Sequence, residues 1–270
     1  MPRFSANLGF LFNEVPFLER FGEAAHAGFR AVEFPFAYDI QVKDIAGEAE
    51  RHKLDIVLIN APPGDWAAGE RGLASLDGRE HDFAAGLVSA FRYTQALRCP
   101  RLHVMAGTID PEAGRVERTQ RRRTYVRNLR FACEEAKPHG VTILIEPINT
   151  RDVPGYFLNT QAEAHAIREE VGMPNLKVQM DFYHAQIVEG DLSEKVRRWM
   201  THIGHFQIAG VPGRHEPDSG EVNYAYLFRL LDELKYTGFV GCEYRPERGT
   251  VEGLAWMYKL IDRAPAKAGD

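Results

Sequence analysis

The sequence predicts an α/β protein folded as a closed (β/α)8 barrel, a TIM barrel, in a single domain. Three observations predict it. Short β-rich apolar runs alternate with longer amphipathic runs; eight such alternations fit into about 260 residues; and no linker rich in Gly, Pro or Ser divides the chain. With 270 residues, 44% of them hydrophobic and 26% charged, the chain can bury one substantial core. An open doubly wound sheet is the rival arrangement.

The first four strands are read in FSANLGF at 4–10, AVEF at 31–34, IVLINAP at 56–62 and RLHVMAG at 101–107. TILIEP, LKVQMDFYH, HFQIAG and VGCEYR complete the eight. Between strands, FLERFGEAAHAGF, DFAAGLVSAFRYTQAL, YVRNLRFACEEA and YAYLFRLLDEL place apolar residues at helical spacing. Pro138, His139 and Gly140 should end the fourth helix by removing a donor and allowing a left-handed turn. Thr160 with Glu163 forms a capping-box pattern ahead of the fifth helix, and Asn223 is the expected N-cap of the seventh. The barrel is expected over 1–262, with 263–270 a flexible tail that has too little apolar surface to pack.

Composition narrows the function classes. The balance of 33 basic against 38 acidic residues, a net charge of -5, argues against nucleic acid or an anionic membrane as partner. Arg121, Arg122 and Arg123 are read as a solvated helix face. Cys99, Cys133 and Cys242 are odd in number and widely spaced among apolar neighbours, as reduced core residues are. No secretory pattern opens the chain and no apolar stretch reaches a membrane span, so a cytoplasmic location is expected. Homo-oligomerisation is left open.

The chemistry is concentrated in the second half. Four successive strand-like runs end in Glu146, Asp181, Gln207 and Glu243. Such a side chain at the end of a buried strand is costly to desolvate unless something pairs with it, and a divalent ion suits several at once. Strand alternation puts Leu144 with Glu146, Gln179 with Asp181, His205 with Gln207 and Gly241 with Glu243, so the four oxygens can share the barrel mouth. An all-oxygen set favours Mg2+ or Mn2+ over Zn2+. A chelating hydroxy-carbonyl compound would fill the remaining positions.

That arrangement suits an enolisation, with Glu146 and Glu243 each able to serve as ligand and as base. His184 and Arg214 are natural partners for a substrate oxygen and a substrate carboxylate. Two strand-to-helix loops are long, Pro62 to Gly78 and Gly210 to Asn223, and both should wall a pocket. The first contributes Trp66 and offers Arg71 as a second cation for the substrate carboxylate.

IEPIN, DFYHAQ, HFQIAGVPGRHEPDSGEVNY and GCEYRP resemble the xylose-isomerase-like barrel superfamily, and more narrowly the bacterial hydroxypyruvate isomerase group, which includes 2-oxo-tetronate isomerases. The resemblance runs from RFSANL through NAPPGDWAAGERGL to EGLAWM. It implies a TIM barrel, a divalent metal, and two glutamates, at Glu146 and Glu243, passing a proton between adjacent carbons of a small keto acid. Asp181 and Gln207 match the remaining metal ligands; His184 and Arg214 match substrate-contacting positions. Many sugar epimerases of the superfamily carry His where this chain has Gln207, a departure that agrees with the hydroxypyruvate isomerase branch.

EPINTRDVPGYFL is similar to the hydroxypyruvate type, whereas HVMAG and VPGRHEPDSGE are closer to the tetronate type. The implied reaction is 2-dehydrotetronate to 3-dehydrotetronate. Hydroxypyruvate to tartronate semialdehyde, and then ketose 3-epimerisation, are the alternatives. From other classes, a metal-dependent DNA-repair nuclease would need a His-rich zinc cluster and a basic groove, and a sugar-acid binding protein would have no use for paired metal-binding glutamates.

Overall fold

The computed structural model describes residues 2–262 of the chain. Eight parallel strands close into a barrel in sequence order: β1 (Arg3–Asn7), β2 (Ala31–Phe34), β3 (Asp55–Asn60), β4 (Arg101–His103), β5 (Thr142–Ile145), β6 (Leu176–Asp181), β7 (Ile203–Ile208) and β8 (Phe239–Cys242). The ring closes by pairing β1 with β8, and the open doubly wound sheet is thereby excluded. The expected tail at 263–270 lies outside the described residues.

Around the ring pack α1 (Arg20–His26), α2 (Val42–Arg51), α3 (Glu80–Ala96), α4 (Arg115–Ala136), α5 (Gln161–Val171), α6 (Phe182–Val188), α7 (Leu192–Trp199), α8 (Tyr224–Glu233) and α9 (Ala255–Asp262). Where one helix per repeat is expected, two join β6 to β7, because α6 starts directly from the last residue of β6. Thr160 Oγ1 accepts from the Glu163 N–H at 3.1 Å and Asn223 Oδ1 from the Tyr226 N–H at 3.0 Å, so both expected caps form. Past α4 the chain makes a 3-10 turn over Lys137–His139 and leaves it through Gly140 at φ 65°, the left-handed stop read from the sequence.

Arg121 corrects the reading of its cluster. It is buried on the inner face of α4 with Thr124, Tyr125 and Asn128, and its guanidinium donates to the Thr108 carbonyl, whereas Arg122 stays at the surface and pairs with Glu170. The three cysteines are buried and unpaired, as expected.

Strand register sets the layer that matters for function. Asn7 lies beside Glu33, Asp181 beside Gln207, and Gln207 beside Gly241. A Cβ on Gly241 would overlap the Glu33 carboxylate, so the glycine leaves the room that this buried side chain fills.

Candidate active site

At the carboxyl end of the barrel, Glu146, Asp181, His184 and Glu243 bring ligand atoms within 4.8 Å of one another, a group able to hold a metal ion. Glu146 and Glu243 stand one residue beyond β5 and β8; Asp181 ends β6. Asp181 Oδ1 accepts from the Tyr183 N–H at 2.8 Å and so caps α6, which fixes the carboxylate and leaves Oδ2 turned into the cluster. Asp181 Oδ2 and Glu146 Oε1 are buried and have no hydrogen-bond partner. Orphaned carboxylate oxygens are costly in a dry interior, and two aimed at one place fit a hard cation.

Gln207 reaches the same layer. Its Oε1 accepts from Gln179 Nε2 at 2.6 Å, while its Nε2 donates to Glu33 Oε1 at 2.7 Å and to Glu243 Oε1 at 3.3 Å. The amide oxygen, with two lone pairs, has capacity for one further partner beside Gln179. Of the three carboxylates in this group Glu243 is the most heavily bonded, accepting also from Asn7 Nδ2 at 2.9 Å and from Arg214 Nη2 at 2.6 Å.

Electrostatics follow from the crowding. Burial, then the neighbouring Glu243 and Asp181 charges, raise the Glu146 carboxyl well above the carboxylate range. Burial likewise raises Asp181 to about 6 and Glu243 to about 8, with Arg214 working against both. Arg214 is itself held more firmly protonated: burial opposes its charge, but Glu243, Asp181, Asp152 and Glu146 outweigh that. Burial keeps His184 well below the ordinary histidine range and His103 at about 3, so both rings are neutral.

Arg214 sits where the sequence reading puts it, at the mouth. Its guanidinium lies 2.6 Å from Glu243, 3.8 Å from Asp181 and 3.2 Å from Asp152, and against the rings of Phe10 and Tyr183. Its backbone adopts φ 58°, a left-handed conformation uncommon for any residue but glycine and held here by the Gly210–Arg214 turn. Trp66 and Arg71 form a separate wall. Arg71 stacks 3.8 Å over the Trp66 ring and donates to the Trp66 and Glu70 carbonyls, and Trp66 packs on Phe36 after β2. Their hydrogen bonds and ring contacts stay within that wall.

Several polar residues of the site escape the sequence reading. Glu33 on β2 is fully buried in the barrel and accepts from Ser5 at 2.8 Å, Asn7 at 3.2 Å, His205 at 2.8 Å and Gln207 at 2.7 Å. Burial works to raise its carboxyl, but His205 and the donated hydrogen bonds outweigh it and hold Glu33 below the usual range. The signal was present: an acid flanked by apolar residues in AVEF carries the same desolvation cost as the four strand-end residues. His103 at the end of β4, its Nδ1 3.7 Å from Glu146 Oε2, is a second such case.

A parallel barrel with buried carboxylates, a cation and neutral histidines at its carboxyl mouth defines a TIM-barrel enzyme acting on a small molecule. Residues 21–260 match the family model for the xylose isomerase-like TIM barrel, and the chain belongs to that family. It is 54% identical over 263 residues to the 2-oxo-tetronate isomerase of Cupriavidus necator, covering 97% of this chain and 100% of that one. It is 45% identical over 257 residues to the hydroxypyruvate isomerase of Escherichia coli, covering 95% and 98%. Among solved structures, one titled AP endonuclease, family 2 from Brucella melitensis superposes with a TM-score of 0.93 at 50% identity, covering 96% and 99%. With such relatives the chain is an isomerase of the intramolecular oxidoreductase type. Among the described residues no helix is long and apolar enough to cross a membrane.

Proposed function

We propose that the chain moves a carbonyl between adjacent carbons of a small hydroxy-oxo acid, with Glu146 and Glu243 as the proton-transferring pair. The observation that carries this reading is the convergence of two buried carboxylates, each with an orphaned oxygen, and a partly buried third, beside one partly buried guanidinium. Glu146, Asp181, Gln207 and Glu243 would hold the metal, Mg2+ or Mn2+ on the hardness of the donors, which would supply Lewis acidity to the substrate oxygens.

The chain's own groups do the rest. One glutamate takes the proton from the hydroxyl-bearing carbon, and the electron pair of that C–H bond moves into the carbonyl to give an enediolate. The hydroxyl proton passes to the former carbonyl oxygen, and the second glutamate returns a proton to the former carbonyl carbon. Atoms and charge balance without an external oxidant. His184 contacts a substrate oxygen, and Arg214 the substrate carboxylate, since a guanidinium matches a carboxylate through two parallel bonds. The Trp66 and Arg71 wall limits substrate length.

The reaction we favour is 2-dehydrotetronate to 3-dehydrotetronate, supported by the 54% identical relative; hydroxypyruvate to tartronate semialdehyde, supported by the 45% identical one, is the second reading. The name of the Brucella protein, AP endonuclease, family 2, carries less weight, since the cluster holds three acids and a single histidine, and a net charge of -5 does not favour a polyanionic partner. Three buried reduced cysteines favour the cytoplasm. The test is incubation with Mg2+ or Mn2+ and three- and four-carbon oxo acids in deuterated water, followed by NMR. Metal-dependent deuterium entry at the carbon next to the carboxylate is expected; absence of exchange and turnover across the panel would overturn the isomerase reading.

A further inference from the structure

We propose that Asn149 is a positioning residue that fixes His184 in its Nε2–H tautomer, so that His184 meets the substrate as a hydrogen-bond donor and does not ligate the metal. By position alone His184 could be a ligand, since it lies in the acidic cluster with Nε2 3.6 Å from Asp181 Oδ2. A ligand needs a lone pair on the nitrogen facing the ion, and a donor needs a proton there; one neutral ring cannot offer both.

The choice is made at the other end of the ring. The Asp152 backbone N–H donates to Asn149 Oδ1 at 2.8 Å. A backbone N–H cannot accept, so the Asn149 amide has one orientation: oxygen to Asp152, nitrogen to His184. Its Nδ2 lies 2.7 Å from His184 Nδ1, and the Asn149 backbone N–H points at the same atom from 3.4 Å. With the amide donating at 2.7 Å, Nδ1 must carry the lone pair and Nε2 the proton; the 3.4 Å backbone contact is too long to decide it alone. The reverse tautomer would set N–H against N–H at a position where Asn149 is fully buried and water cannot intervene.

One contact argues the other way. Arg214 Nη2 lies 3.5 Å from His184 Nε2. That distance is beyond an effective N–H···N bond, and the same nitrogen has its short contact, 2.6 Å, with Glu243. On the Nε2 side Asp181 Oδ2 lies 3.6 Å away, also beyond a hydrogen bond, and is a buried carboxylate oxygen with no hydrogen-bond partner. The short bond at Nδ1 therefore fixes the tautomer, and the proton it leaves on Nε2 faces the carboxylate cluster with no partner of its own among the described residues within hydrogen-bond distance. Set among the reacting groups, it can be donated to the substrate oxygen that becomes negative in the enediolate. The tautomer stands on the geometry alone; its catalytic use rests on the isomerase reading.

The test is a long-range 1H–15N correlation spectrum of the uniformly labelled protein, with His184 assigned by its loss in His184→Gln, recorded without metal and with saturating Mg2+. The expected pattern is an unprotonated Nδ1 and a protonated Nε2 in both. A protonated Nδ1, or an Nε2 that loses its proton when Mg2+ is added, would overturn the proposal whether or not any oxo acid is turned over. In Asn149→Ala, Nδ1–H should appear and kcat should fall by about ten- to a hundredfold, with KM and Mg2+ affinity unchanged. A variant that keeps the wild-type tautomer, or wild-type kcat with the tautomer changed, would remove Asn149 from this role.

Discussion

Replacing Asp181 with Asn should make the metal-free protein more stable while destroying its metal response. Asp181 Oδ1 caps α6 through the Tyr183 N–H at 2.8 Å, a bond an amide oxygen keeps, so the substitution removes little but charge. The charge is unwelcome: Oδ2 is buried without a hydrogen-bond partner, and burial outweighs Arg214 to raise the carboxyl from 3.8 to about 6. On that basis the ionised form is disfavoured by about 3 kcal/mol in the fold relative to the unfolded chain. Asp181→Asn should thus raise Tm by about 6–12 °C in the presence of a chelator at pH 8. A raised carboxyl favours the fold below its unfolded value and loses that contribution as pH rises through the folded one. The gain should accordingly be absent below about pH 3.8 and complete above about pH 6. Thermal melts with chelator and with saturating Mn2+ decide the matter: wild type should gain from Mn2+ and the variant should not. A variant that melts below wild type in chelator, or that keeps the Mn2+ shift, would refute the assignment of Asp181 as a charge held in place for a metal.

Glu146→Gln and Glu243→Gln should each lower turnover by about 10²- to 10⁴-fold with circular dichroism unchanged, because an amide keeps an oxygen but cannot take the proton; near wild-type turnover would remove that residue from the proton path. Arg214→Lys should raise KM for the oxo acid about tenfold, since Lys keeps the charge and loses the planar fork; an unchanged KM would move the carboxylate site toward Arg71. With Asp181 raised to about 6 and Glu243 to about 8, metal-free protein carries protons that a metal must displace. Mg2+ affinity should therefore rise with pH between about 6 and 8, and calorimetry in buffers of different ionisation enthalpy should show proton release; binding without release would contradict the raised carboxyls.

The barrel was legible because each repeat announces itself locally, in a β-rich run followed by helical spacing, and the four strand-end oxygens because desolvation makes a polar strand terminus conspicuous. Glu33 passed unnoticed in a four-residue strand of the first half, although the same physics applies to it. Arg121 misled because adjacent arginines suggest a solvated face, while the rotation of α4 turns one of them inward. The pairings of Asn149 with His184 and of Trp66 with Phe36 join segments 35 and 30 residues apart through loops, where neither period nor propensity fixes a neighbour.

The space left by Gly241 has a consequence for how the barrel assembles. The carboxylate that fills it draws its donors from β1 and β7, and Asn7 and Gln207 carry the connection on to Glu243 after β8. The two sides of the β1–β8 seam thus meet over one buried negative charge. A barrel with an open seam would bury that charge with half its donors missing, which favours either the closed ring or an opening wide enough to admit water. Closure of the seam and completion of the catalytic layer become one event, and a fragment ending before β7 should fail to fold as a stable half-barrel.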